Sequence, residues 1–138
     1  MIVAYEIKRG ARFRLIAVGI QEHDKIRLPY FEFQQQAATS AKTEWPKLVR
    51  ILDYVAESGP PRDDEKSKLL REKIYEFRTK GGLRLLWFYD AGNVVICANG
   101  YMKQGQKTPN AEIETAIQWK KNYLYAKEAG NLKDITPK

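Results

Sequence analysis

The chain has 138 residues, 43% hydrophobic and 30% charged, which is the size and balance of one ordinary globular domain and excludes disordered and fibrous classes. No apolar run is long enough to cross a bilayer, and the opening Met1-Ile-Val-Ala-Tyr-Glu lacks the basic, apolar, then small-residue order of a secretory signal, so a cytoplasmic setting is expected. The net charge of +7 predicts attraction to polyanions without distinguishing nucleic acid from an anionic membrane surface.

Along the chain, Arg12 to Ile20 is β-rich and bounded by Gly10 and the polar Gln21–Lys25 cluster, which predicts a first strand; Lys25 to Leu28 predicts a short extended partner. His23, the one histidine, stands between Glu22 and Asp24 in that polar connection, a setting that argues against a catalytic imidazole. Pro29 then opens a helix, because proline is tolerated in a first turn. A second helix follows from Thr43: Pro46 fits its first turn, Leu48, Ile51, Leu52 and Val55 form one apolar stripe, and Gly59-Pro60-Pro61 supplies the stop. The charged run from Arg62 to Lys68 has no periodicity and reads as a solvated loop.

Three β-rich runs come next, Lys73–Thr79, Leu83–Asp90 and Val94–Lys103, joined by Lys80-Gly-Gly82 and Ala91-Gly-Asn93. Short glycine-containing joins of this kind predict an antiparallel meander. Cys97, the one cysteine, lies inside the apolar Val94-Val-Ile-Cys-Ala98, so it reads as a buried structural thiol and leaves neither an intramolecular disulfide nor a cysteine metal cluster. Thr108 is expected to cap a last helix with Pro109 at its first position, and Ile113, Ile117 and Leu124 are expected to face the core. Residues 1–130 are thus expected to form a single domain and residues 131–138 a flexible tail.

Strand alternation sorts the faces. Tyr75 and Phe77 share one side of their strand, with Glu76 and Arg78 on the other; Leu85, Trp87 and Tyr89 lie opposite Arg84; Asn99, Tyr101 and Lys103 share a side. If the aromatic sides pack on the helices, Glu76, Arg78, Arg84, Asn99, Tyr101 and Lys103 converge on an open basic face, with Lys73, Lys80 and Lys107 adding charge around it. Such a patch suits a phosphodiester: arginines grip phosphate oxygens, lysines supply point charges, Tyr101 can stack on a base or move a proton, and Glu76 can orient an arginine or act as base. A solvated sheet face, with Glu76 paired to Arg78 or Arg84, accounts for the same residues. The segment Gly100-Tyr-Met-Lys-Gln-Gly-Gln-Lys-Thr108 comes close to a nucleotide phosphate loop, but Gln106 separates the second glycine from the lysine and breaks the spacing the cradle needs.

These segments together resemble a known family. Pro29-Tyr-Phe-Glu-Phe33, Ala56-Glu-Ser-Gly-Pro60, Lys73-Ile-Tyr-Glu-Phe-Arg78, Leu83-Arg-Leu85, Trp87-Phe-Tyr-Asp90, Gly100-Tyr-Met-Lys103, Gln106-Lys-Thr-Pro109 and Glu112-Ile-Glu-Thr-Ala116 are similar to the HigB-like, phage-derived branch of the RelE/ParE toxins of type II toxin-antitoxin pairs. The resemblance implies a small α+β domain of RelE-like fold: a twisted, mainly antiparallel sheet, N-terminal helices on one face, a C-terminal helix, and the active face opposite. It implies a cytoplasmic, ribosome-dependent mRNA endoribonuclease that uses no metal or cofactor, acts by attack of the 2′-hydroxyl on the adjacent phosphate, and is silenced by an antitoxin of helix-turn-helix type. Its partners would be that antitoxin, the ribosome and mRNA, with no membrane. By position Arg84, Lys103, Tyr101, Arg78 and Glu76 would be catalytic, and Lys107, Lys73, Lys80 and Asn99 would bind RNA. Relatives often carry histidine where Asn99 stands and a second lysine where Gln104 stands. The superfamily also holds gyrase-directed, ParE-like members that cut no RNA, and a non-catalytic binding protein of phage or mobile-element origin fits the same residues.

Overall fold

The computed structural model describes residues 1–138. Its elements run β1 (Ile2–Arg9), β2 (Arg14–Glu22), β3 (Lys25–Arg27), α1 (Pro29–Ser40), α2 (Trp45–Ser58), β4 (Ser67–Leu69), β5 (Tyr75–Arg78), β6 (Leu83–Asp90), β7 (Val94–Met102), α3 (Asn110–Glu128) and β8 (Lys133–Asp134). They build a mixed α+β fold around an eight-stranded sheet of order β4-β5-β6-β7-β2-β1-β8, with β3 paired to β2. All neighbours are antiparallel except β2 with β7 and β1 with β8. The expected helices and the β5-β6-β7 meander are present. None of the helices is long and apolar enough to cross a membrane.

Helices α1 and α2 cover one face of the sheet, burying Tyr30, Phe33, Leu48, Leu52 and Val55 against Leu15, Phe77, Leu85 and Trp87. The aromatic sides of the meander do pack on these helices: Trp87 stacks between Tyr75 and Phe77, with ring centroids 4.6 Å from each. The opposite face is not open. Helix α3 lies over it, burying Ile113, Ala116, Ile117 and Tyr123 against Ile16, Val18, Leu86, Phe88, Ile96 and Ala98. The uninterrupted apolar runs of β6 and β7 already carry this consequence, because a strand that is apolar on both sides must be covered on both. Tyr123 takes the inward place expected of Leu124, which is 39% exposed.

Three further local expectations change. Ile2–Arg9 is a strand, paired antiparallel with β2, where the sequence suggested none. The run from Arg62 contains a short strand, β4, which pairs with β5 at the sheet edge. The last residues pair rather than fray: β8 adds to β1, the Ile135 amide donates to the Ala4 carbonyl at 2.9 Å, and the Glu6 amide donates to Thr136 Oγ1 at 2.8 Å.

Helix α3 is clasped to the end of β6 by Asp90, which accepts from Tyr123 Oη at 2.6 Å and Lys127 Nζ at 2.8 Å. Burial raises the Asp90 carboxyl, but those two donors and the Ala91 amide outweigh it and hold the group below its ordinary value. A depressed carboxyl stabilises the fold above the unfolded value of about 4, and that contribution disappears as pH falls through the folded value. Asp90→Asn is therefore expected to lower stability at pH 7 while flattening the loss between pH 4 and pH 2, as urea midpoints across that range will report. A second test concerns Gly100, whose added Cβ would lie 2.2 Å from the buried Phe33 ring. Gly100→Ala should cost about 1–3 kcal/mol in the same measurement, the usual penalty for overpacking.

Candidate functional site

The polar residues of the meander gather where β5, β6 and β7 end beside the 103–109 loop. Register explains how: Arg78 pairs with Arg84 across β5 and β6, and Arg84 pairs with Tyr101 across β6 and β7. A β-bulge decides the last of these. Between the pairs Trp87–Cys97 and Leu85–Gly100 the register slips, so Ala98 and Asn99 both stand opposite Leu86. Cys97 packs on the α1 and α2 side, whereas Ala98 and Tyr101 pack on the α3 side. Simple alternation from Cys97 would have sent Tyr101 toward α1; the extra residue re-aims it beside Arg84.

At the centre lies the Glu76 carboxylate, fully buried. Its Oε2 accepts from Tyr101 Oη at 2.8 Å and from Thr108 Oγ1 at 2.9 Å. Its Oε1 faces Arg78 Nε at 3.4 Å and Arg84 Nε at 3.8 Å, close enough for ion pairing though neither contact has hydrogen-bond geometry. One carboxylate thus serves two guanidinium groups and leaves a local excess of positive charge. Thr108 was expected to cap the last helix; it binds Glu76 instead, and Pro109 takes the cap position with its carbonyl receiving the Glu112 amide.

The two arginines differ in access. Arg84 is 5% exposed, and its Nη1 donates to the carbonyls of Thr79 at 2.8 Å and Leu83 at 2.9 Å. Burial, then the nearby Arg78 charge, push Arg84 below the ordinary arginine value despite Glu76 beside it. Its Nη1 is committed to the backbone of the β5–β6 turn. Arg78 is half-buried, donates only from Nη1, to the Asp64 carbonyl at 3.3 Å, and reaches the surface. Tyr101 is held well above the ordinary tyrosine value by burial and by the Glu76 carboxylate, with Thr108 opposing. Such a phenol is neutral at physiological pH, and its proton is committed to Glu76.

The other expected residues divide into two groups. Lys103, Lys107 and Lys80 are exposed around the cluster: the Lys103 amide donates to Gly82 in the β5–β6 turn that carries Lys80, and Lys107 precedes the Thr108 that holds Glu76. Lys73 and Asn99 lie apart. Lys73 sits before the far end of β5, near Lys120 and Glu72. Asn99 is buried, and its Nδ2 donates to the Glu112 carbonyl at 3.1 Å and to Glu112 Oε1 at 3.0 Å, fastening β7 to α3. Burial pushes the Cys97 thiol up to about 12, so it is inert as a nucleophile.

Sequence reasoning missed Thr108 as a partner of Glu76 and Glu112 as a partner of Asn99. No spacing rule joins residues 32 and 13 positions apart across a loop. Glu76→Gln should destabilise the fold by about 3–5 kcal/mol, because it strands a buried guanidinium without its counter-charge. Arg78→Ala leaves Arg84, Tyr101 and Thr108 on the buried carboxylate and should cost less, about 1–3 kcal/mol, the penalty of one lost partner of a buried polar group. Chemical denaturation of the two variants side by side tests that contrast.

The family model described as Phage derived protein Gp49-like matches residues 32–121, a span that contains every member of the Glu76 cluster. No curated protein matches the chain.

Proposed function

Since the chain belongs to the Phage derived protein Gp49-like family, which is toxin-like, we propose that it is the toxin of a type II toxin-antitoxin pair, of HigB-like kind within the RelE/ParE superfamily, that cuts mRNA on the ribosome. The observation that carries this reading is the buried carboxylate ringed by two arginines, a phenol and a threonine, with Lys80, Lys103 and Lys107 exposed beside it. In the proposed reaction the 2′ oxygen bonds to the adjacent phosphorus as the bond to the 5′ oxygen breaks. The 2′ proton passes to water, the leaving oxygen takes one from water, and a cyclic phosphate and a 5′-hydroxyl result.

Residue roles follow from access. Arg78, the half-buried arginine that reaches the surface, meets the phosphate together with Lys103 and Lys107, whose charges stabilise the pentacovalent anion where it forms. Tyr101 donates its hydrogen bond to the buried Glu76 carboxylate and so holds the cluster together, while the leaving oxygen takes its proton from water. Glu76 holds the guanidinium of Arg78 in place, and Arg84 is a positioning residue that ties Glu76 to the β5–β6 turn. An antitoxin partner belongs to this reading, as toxin-like families imply one.

The burial of Arg84 favours a second reading, in which the basic face docks on a protein target and no RNA is cut, as in gyrase-directed ParE-like toxins. Inducible expression followed by mapping of cellular mRNA 5′ ends separates the two. Wild type is expected to arrest growth with codon-spaced cleavage, and Arg78→Ala to reduce cleavage by roughly 100-fold, the loss typical of removing one charge-stabilising donor. Arrest without codon-spaced cuts overturns the nuclease reading; a DNA-damage response in that arrest supports the gyrase one.

A further inference from the structure

A groove of about 740 Å³ runs beside the Glu76 cluster, between α2 and the 61–66 turn. Six cations line it: Lys47, Arg50, Arg62, Lys66, Arg78 and Lys80. Two of them have carboxylate partners, Lys47 with Glu44 and Arg78 with Glu76; Arg50, Arg62, Lys66 and Lys80 have none within 4.0 Å. Two carboxylates on its wall, Asp63, whose Oδ1 accepts from the Glu65 amide at 2.9 Å, and Glu65, stand against the four unpaired cations. The groove therefore keeps a net positive charge.

Helix α2 devotes a face to it. Lys47, Arg50, Ile51 and Tyr54 follow one another at i, i+3, i+4 and i+7; Ile51 sits at the border, also packing against the Leu48, Leu52 and Val55 stripe that enters the core. Tyr54 is 54% exposed and makes no ring contact with another aromatic side chain. An open phenol among unpaired cations matches how single-stranded nucleic acids are held, with bases stacked on aromatic faces and phosphates met by flexible charges. Arg78 lies in both places, with its Nε toward Glu76 and its outer edge on the groove wall.

We propose that this groove binds the single-stranded RNA that leaves the Arg78 site, taking its phosphates on Arg50, Arg62, Lys66 and Lys80 and stacking a base on Tyr54. The proposal rests on the RNA-directed reading above and assigns that reading a second contact surface. An acidic protein segment is the competing occupant. RNA is favoured because the groove is continuous with the cluster through Arg78, and because its prominent apolar side chain is an open aromatic ring.

A fluorescein-labelled, fully 2′-O-methylated RNA dodecamer, which lacks the attacking hydroxyl, provides a binding probe independent of cleavage. Anisotropy titrations at several salt concentrations should show the Arg50→Glu/Arg62→Glu variant binding at least tenfold more weakly than wild type. The slope of log affinity against log salt should fall by about 1.4, as two single-strand phosphate contacts at about 0.7 each require. Tyr54→Ala should weaken binding about tenfold with the slope unchanged, since stacking releases no counterions. Circular dichroism melts of these surface variants establish that the fold is retained. Wild-type affinity and slope in the charge-reversal variant overturn the proposal, as does a poly-glutamate dodecamer that binds the groove more tightly than the RNA and displaces it. Because the probe cannot be cut, groove-dependent binding stands even if mapping finds no cleaved mRNA, and the failure of one reading is distinguishable from that of the other.

Discussion

Burying the Glu76 carboxylate is the constraint around which the polar half of this molecule is arranged. A carboxylate removed from water is costly unless charges and donors replace its hydration. Here the replacement comes from every neighbouring element: Arg78 on its own strand, Arg84 from β6, Tyr101 from β7 and Thr108 from the loop before α3. The same contacts therefore compensate the charge and fasten four segments together. They also leave one more positive than negative charge at the cluster, which is the electrostatic property an anionic partner would meet.

Access to that charge is set by what covers the sheet. Helix α3 buries the apolar middle of the face on which Glu76 lies, so the cluster is not a concave plate open to solvent but a seam between the strand ends and the loop. Arg84 and Asn99 fall on the buried side of the seam, where their donors are consumed by Thr79, Leu83 and Glu112. Arg78 falls on its open side and continues into the cationic groove along α2. In the proposed chemistry the inner residues set geometry and the outer ones meet phosphate, a division of labour that arises from burial rather than from residue type.

Much of this arrangement was legible in the chain. The helical stripe of Leu48, Leu52 and Val55, the glycine-containing turns of the meander and the pairing of aromatic with non-aromatic strand sides are local patterns, and they appear where expected. Glu76, Arg78, Arg84 and Tyr101 do lie together, yet alternation alone gives an incomplete reason for it. Alternation counted back from Cys97 puts Tyr101 on the wrong side, and the bulge at Ala98 and Asn99 corrects it. Likewise, the groove face of α2 is written as Lys47, Arg50, Ile51 and Tyr54, but the unpaired state of its cations depends on where the 61–66 turn comes to rest.

What the amino-acid sequence determined by itself was the set of elements and the identity of the charged residues near the strand ends, because periodicity and turn chemistry act over a few residues. What only the tertiary structure decided was which charges are spent and which are free. Arg78 and Arg84 are the same side chain six positions apart; one is sealed against backbone carbonyls and the other reaches the surface. Arg84 turns onto carbonyls of its own β5–β6 turn, whereas Arg78 reaches across to the Asp64 carbonyl, and the Glu76 between them is fixed by the 103–109 loop folding back through Thr108, a contact 32 positions apart that no local pattern encodes.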